Sequence, residues 1–278
     1  MSSRIERRSR TGFTGATAAV GLAFLLTGAA MASWFARVPT VKAGFGLGDG
    51  AMGALLACVA VGSLIAMPLA GTMMARLGGR PVLAIAEALL CAALVLPALA
   101  PNPAALGIAL TLLGAGHGLL DVTMNAQASA LEQAAERALM PMLHALFSIG
   151  GFAGAMLGAL FAHVGVSVAV HLGLVALLFA VLAVPAYRFV PHIHAPGGLA
   201  PSETAAPVLA WPGRGLAALA VISFCALMAE GVINDWSAIF LAQTLNAGPG
   251  FAPLGYAVFS VTMIIGRLAG GPLTHHIR

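Results

Sequence analysis

The sequence predicts an all-α, polytopic membrane protein, and three observations carry that reading. Hydrophobic residues fill 60% of the 278 positions and only 8% are Asp, Glu, Lys or Arg, with a mean hydropathy of +0.98. A soluble domain carries roughly 25% charged residues and could not hide so much apolar surface. The apolar residues also form long unbroken runs, of the ~20 residues a helix needs to cross the hydrocarbon. Finally, the runs lack the short alternating pattern of barrel strands, and hydrocarbon demands that every backbone polar group find an internal partner, so helices remain.

In order, the runs cover Thr11 to Phe35, Gly50 to Met73, Pro81 to Ala100, Pro103 to Ala126, Leu139 to Ala162, Gly165 to Tyr187, Gly215 to Ile239 and Phe251 to Leu273, eight in all. The basic cluster Arg4, Arg7, Arg8 and Arg10 before the first run, and Ala30-Met31-Ala32 near its end, resemble a secretory or twin-arginine signal. The length of the run and the similar ones after it favour an uncleaved first helix. With the N-terminus cytoplasmic, the inside also holds Arg76, Arg80, Arg137, Arg188, Arg214, Arg267 and Arg278, while the outer loops hold Arg37 and Lys42. This asymmetry is the positive-inside rule. A Pro, Ala and Gly-rich stretch then divides the chain into a basic N-terminus (1–10), a six-helix bundle (11–187), a cytoplasmic linker (188–214) and a two-helix start of a second bundle (215–278).

Several chemistries are disfavoured. Cys58, Cys91 and Cys225 lie inside apolar runs without paired spacing, which suits small buried hydrophobes. The formal charge of +4 is scattered between runs and forms no basic face for nucleic acid. Gly46-Leu47-Gly48 follows no strand and no Walker-type loop exists, so neither a dinucleotide nor ATP is expected. His192 with His194, and His275 with His276, have no third ligand in register. No metal and no cofactor are expected.

Gly71-Thr72-Met73-Met74-Ala75-Arg76-Leu77-Gly78-Gly79-Arg80 resembles the loop signature of the major facilitator superfamily, in which a Gly starts the turn and basic residues follow. Trp34-Phe35-Ala36-Arg37-Val38-Pro39, Asp121-Val122-Thr123-Met124-Asn125-Ala126 and Asp235-Trp236-Ser237 are similar to a bacterial branch akin to the fucose permeases. The resemblance implies a major-facilitator-type bundle in a bacterial inner membrane, with gating roles for Gly71, Arg76, Gly78 and Arg80. The acidic residue usual in that signature is Ala75 here. The superfamily has twelve helices, so a chain of eight implies a fragment, a truncated product or a completing partner.

Ionisable groups inside a span are functional candidates by default, because a charge there costs several kcal/mol. His117, Asp121 and Asn125 recur every four residues and share one stripe of the fourth run, beside Gly114, Ala115, Gly116 and Gly118, which permit close approach. His144 stands at a depth similar to that of Asp121, and an Asp and a His within reach can exchange a proton or simply lock two helices together. Glu230 and Asn234 sit four apart on the seventh run, for a proton, for sugar-like hydroxyls or for pairing with a basic residue of a helix absent from the chain. Asp235 and Trp236 suit an interfacial anchor. Arg37 would close an outer gate by pairing with Asp235, since the resemblance places the first and seventh helices equivalently in the two halves. Glu87 reads as peripheral. Gly150, Gly151, Gly154 and Gly158 would let the fifth helix pack closely and rock.

The expected function is secondary active transport of a small polar, sugar-like solute, driven by protons through alternating access. A non-transporting membrane sensor or assembly subunit is the alternative. An intramembrane hydrolase ranks last, because no two histidines lie one turn apart with an acidic base between them.

Overall fold

The computed structural model describes the backbone of residues 2–192 and 214–277 and the side chains of 14–192 and 216–269. The side chains of the N-terminal arginines, most of the linker, and His194, Arg214, Gly270, His275, His276 and Arg278 lie outside the described residues.

Each apolar run is a helix: α1 (Ser2–Phe35), α3 (Asp49–Leu77), α4 (Gly79–Leu99), α5 (Pro103–Ala135), α6 (Met140–His163), α7 (Val168–Ala186), α8 (Arg214–Gln243) and α9 (Leu254–Ile277). Seven have a stretch long and apolar enough to cross a membrane, and the described part of α9, Leu254–Ala269, is a shorter apolar helix. One further helix was not anticipated. After α1 the chain bends at Ala36 and Arg37 into a seven-residue helix, α2 (Val38–Gly44), with Pro39 in its first turn, where a missing N–H costs nothing. Lys42 of α2 is buried and pairs with Asp49 of α3 at 2.9 Å.

The helix ends are set by local chemistry. Asn102 Oδ1 accepts from the Ala105 N–H at 2.9 Å and caps α5. Glu132, near the end of α5, accepts from the backbone N–H groups of Leu139 and Met140 at 2.7 and 2.8 Å, so one carboxylate closes the connection and caps α6. The resemblance put the turn of the loop signature at Gly71, and the structure corrects this. α3 runs on to Leu77, Gly71 is exposed within it, and the reversal is made at Gly78, whose φ of +83° suits glycine.

α1 packs on α6 and α7, α3 on α5, α4 on α5 and α7, while α9 packs on α6 and α8. The closest contacts are made through glycine. A Cβ at Gly114 would collide with the Val59 carbonyl of α3, one at Gly118 would stand 2.8 Å from Ser63 Cα, and one at Gly116 would stand 2.9 Å from the Leu90 nitrogen of α4. α5 is thereby clamped between two neighbours. In the same way, Cβ atoms at Gly150 and Gly154 would collide with the Leu25 and Ala29 carbonyls of α1. The close helix approach expected at both glycine clusters is present. Helices in lipid associate largely by such van der Waals contact.

Candidate functional site

The polar side chains of α5, α6, α8 and α9 converge where α9 meets α6. On α5, Asn125 donates through Nδ2 to the backbone oxygen of Asp121 at 2.9 Å and to Asp121 Oδ1 at 3.1 Å. His117, one turn back, is close enough to Asp121 for their charges to interact. The four-residue spacing therefore places the predicted stripe on one face.

Arg267 of α9 crosses to α6. Its Nη1 donates to the His144 carbonyl at 2.8 Å and to Ser148 Oγ at 2.6 Å, while its Nη2 stands 3.9 Å from Glu230 Oε1 on α8. Only about a fifth of the Arg267 side chain is exposed. The His144 ring lies edge-on to Phe24 of α1, with centroids 5.2 Å apart. The predicted contact between Asp121 and His144 is not made: Asp121 and Arg267 both act on His144 through their charges, without a hydrogen bond or ion pair from Asp121 to the ring. The His144 ring instead packs against Phe24, and Asp121 Oδ1 accepts from Asn125. Tyr256 and Ser260 of α9 share a hydrogen bond next to this cluster, against Gly151 of α6.

On α8, Glu230, Asn234 and Ser237 lie at i, i+4 and i+7, one helical face. Asn234 Oδ1 and Ser237 Oγ are buried without a hydrogen-bond partner among the described residues. Ser237 packs against Gly255 of α9, where an added Cβ would stand 3.6 Å from its Oγ. Arg267 and Ser148 are the members of this site that sequence reasoning missed.

Arg37 makes other contacts than the expected pairing with Asp235. Arg37 is buried and donates through Nε to His171 Nδ1 at 2.9 Å and through Nη2 to the Val166 carbonyl at 3.0 Å, both near the start of α7. No described contact joins it to Asp235. The bend at Ala36 and Arg37 turns the chain into α2 and carries the guanidinium toward α7. Trp236 instead faces α3, where a Cβ at Gly53 would stand 3.3 Å from its ring. His171→Ala is expected to leave a buried guanidinium N–H unpaired and to cost about 1.5–3 kcal/mol. A thermal midpoint in detergent that matches wild type would contradict this.

At the other end of the bundle, Arg76 is exposed, whereas Arg80 stacks 4.3 Å from the Tyr187 ring centroid and bonds through Nη1 to His192 Nε2 at 2.8 Å. The basic signature thus ties the start of α4 to the end of α7.

Residues 8–278 match the family model described as Major Facilitator Superfamily. An uncharacterized MFS-type transporter of Yersinia pestis is 37% identical over 273 residues, covering 97% of this chain and 69% of that relative. The membrane protein MosC of Rhizobium meliloti is 32% identical over 252 residues, covering 91% of this chain and 60% of that protein. The crystal structure of the nucleoside transporter NupG superposes with a TM-score of 0.62 at 18% identity, covering 94% of this chain and 66% of NupG. That likeness is one of fold. The chain spans 60% of one of these relatives and 69% of another.

Proposed function

The chain belongs to the major facilitator superfamily, and from that premise we propose that it serves secondary active transport of a small, hydroxyl-bearing polar solute, coupled to protons by alternating access. The observation that carries this reading is Arg267, which reaches from α9 to α6 and stands 3.9 Å from Glu230. Two bundles that rock against each other must exchange the contacts at their junction. In this mechanism Arg267 ties them in one state and is drawn to Glu230 in the other. A proton on Glu230 removes that pull, so proton binding biases the two states differently, as coupling requires. Asp121 with Asn125, together with Asn234, supply acceptors and donors for solute hydroxyls. Gly150 and Gly154 provide the close α1–α6 contact that keeps the first bundle together as it moves, with the N-terminus and the basic helix ends on the cytoplasmic side of an inner membrane.

The test is solute-dependent proton entry into proteoliposomes, followed by an internal pH-sensitive dye, with monosaccharides, polyols and nucleosides as the panel. An active solute is expected to acidify the interior, and Asp121→Asn to abolish this while the protein still inserts and purifies as a single species. Uptake indifferent to the proton gradient would sink the coupling.

A further inference from the structure

We propose that a small membrane-soluble amine binds in the cleft between α4 and α7, its ammonium group on the carboxylate of Glu87 and its apolar body against Phe179 and Ala183. Glu87 lies about two turns into α4 and is half-buried. It lines a cleft of about 270 Å³ together with Ala88 and Cys91 of its own helix and Phe179, Ala183 and Val184 of α7. Among the described residues it makes no ion pair and no side-chain hydrogen bond. Arg80 cannot serve it: that guanidinium is taken by Tyr187 and His192, and seven residues of helix put it about 10 Å nearer the headgroups at 1.5 Å per residue. A carboxylate at such a depth is costly unless a cation is paired with it. The fold therefore keeps one acid inside a span, leaves a cavity in front of it and supplies no cation of its own.

The shape and lining of the cleft define the rest of the ligand. Val184, which lines it, is 74% exposed, and Ile85 and Val181 beside it are exposed too, so the cleft opens toward lipid and is entered from the bilayer. Its walls are alanine, valine and the buried ring of Phe179, which offer nothing to hydroxyls or phosphates. A metal ion would need several oxygen or sulfur ligands, and no three His, Cys, Asp or Glu side chains gather in this way among the described residues. What remains is one cationic N–H donor on an otherwise apolar molecule. The volume lies below the roughly 300–1,000 Å³ of pockets for drug-sized ligands, so the body is a single ring or a short alkyl chain. No residue of the cleft belongs to the stripe on α5 or to the junction of α6, α8 and α9. The site depends on the membrane location alone and stands apart from the transport reading.

The experiment is a scintillation proximity assay on the full chain in phosphatidylcholine nanodiscs, titrated with radiolabelled phenylbutylamine and read against empty nanodiscs. Phenylbutanol, which has the same body without the charge, is the competitor. Wild type is expected to bind the amine saturably, and the alcohol to displace it at least about tenfold less well than unlabelled amine does. Glu87→Gln, which keeps the shape and removes the charge, and Ala88→Phe, which fills the cleft from an exposed position, are each expected to weaken binding about tenfold. The comparison of amine with alcohol is made on wild type, so it decides the role of charge even where a variant folds poorly. Absence of saturable binding above empty nanodiscs, equal displacement by amine and alcohol, or Glu87→Gln binding as wild type does would overturn the proposal. Ala88→Phe binding as wild type does would overturn the seat in the cleft.

Discussion

Arg267→Ala is expected to reduce proton-driven uptake at least a hundredfold, about 2.7 kcal/mol at 1.36 kcal/mol per decade, while leaving the protein inserted. The guanidinium makes two hydrogen bonds across the junction, to the His144 carbonyl and to Ser148 Oγ, and faces Glu230. Its removal does more than delete those contacts. It leaves Glu230 in the membrane without its one described ion-pair neighbour, and a carboxylate there is costly unless paired or neutralised. In the proposed mechanism Glu230 then holds its proton through the cycle and coupling is lost. Arg267→Lys separates charge from geometry: a compact ammonium restores attraction to Glu230 but cannot reach two acceptors and a carboxylate with a planar fork. Partial recovery in Lys, with slow exchange between the two faces, is the expected pattern. Full activity in Arg267→Ala, measured as dye acidification in proteoliposomes, would remove the arginine from the mechanism.

The helices were legible in the sequence because hydrocarbon imposes a length rule, and α3 through α9 begin within about three residues of the apolar runs that announced them. α2 was not legible, since Val38 and Val41 in a short segment between two spans give too little periodicity to distinguish a helix from a loop. Among site residues, the Asp121–Asn125 pair followed from spacing alone, because residues four apart meet on any helix. Arg267 was counted only among the charges on the cytoplasmic side, yet it lies within the run from Phe251 to Leu273. His171 likewise lies within the run that forms α7 and went unnoticed. The rule that singles out ionisable groups inside a span would have found both. Their partners were beyond reach, for a bond from α9 to α6 or from Arg37 to α7 is decided by how the helices rotate against one another, and spacing along one helix carries no such information.

That rotation is fixed largely by glycine, so Gly114→Leu is expected to abolish recovery of folded protein. α3 and α5 meet backbone to backbone: added Cβ atoms at Gly62 and Gly114 would collide with the carbonyls of Thr111 and Val59, and Ser63 Oγ donates to the Gly114 carbonyl at 2.8 Å across the same contact. Helices in lipid gain little from hydrophobic exclusion and depend on this packing. Gly114→Ala is expected to cost about 1–3 kcal/mol as the helices are forced apart, and Leu, with three more carbons, to prevent the approach altogether. The outcome reaches the distant site, because α5 carries His117, Asp121 and Asn125 on the same helix and any rotation carries them away from α6. The informative contrast is Gly71→Leu in α3. Nothing lies within 4 Å of a Cβ there, so the change should leave the thermal midpoint in detergent unchanged or raise it, since a good helix former replaces glycine at a gain of up to about 1 kcal/mol. Equal losses at Gly71 and Gly114 would mean that helix flexibility, and not close packing, is what the glycines supply.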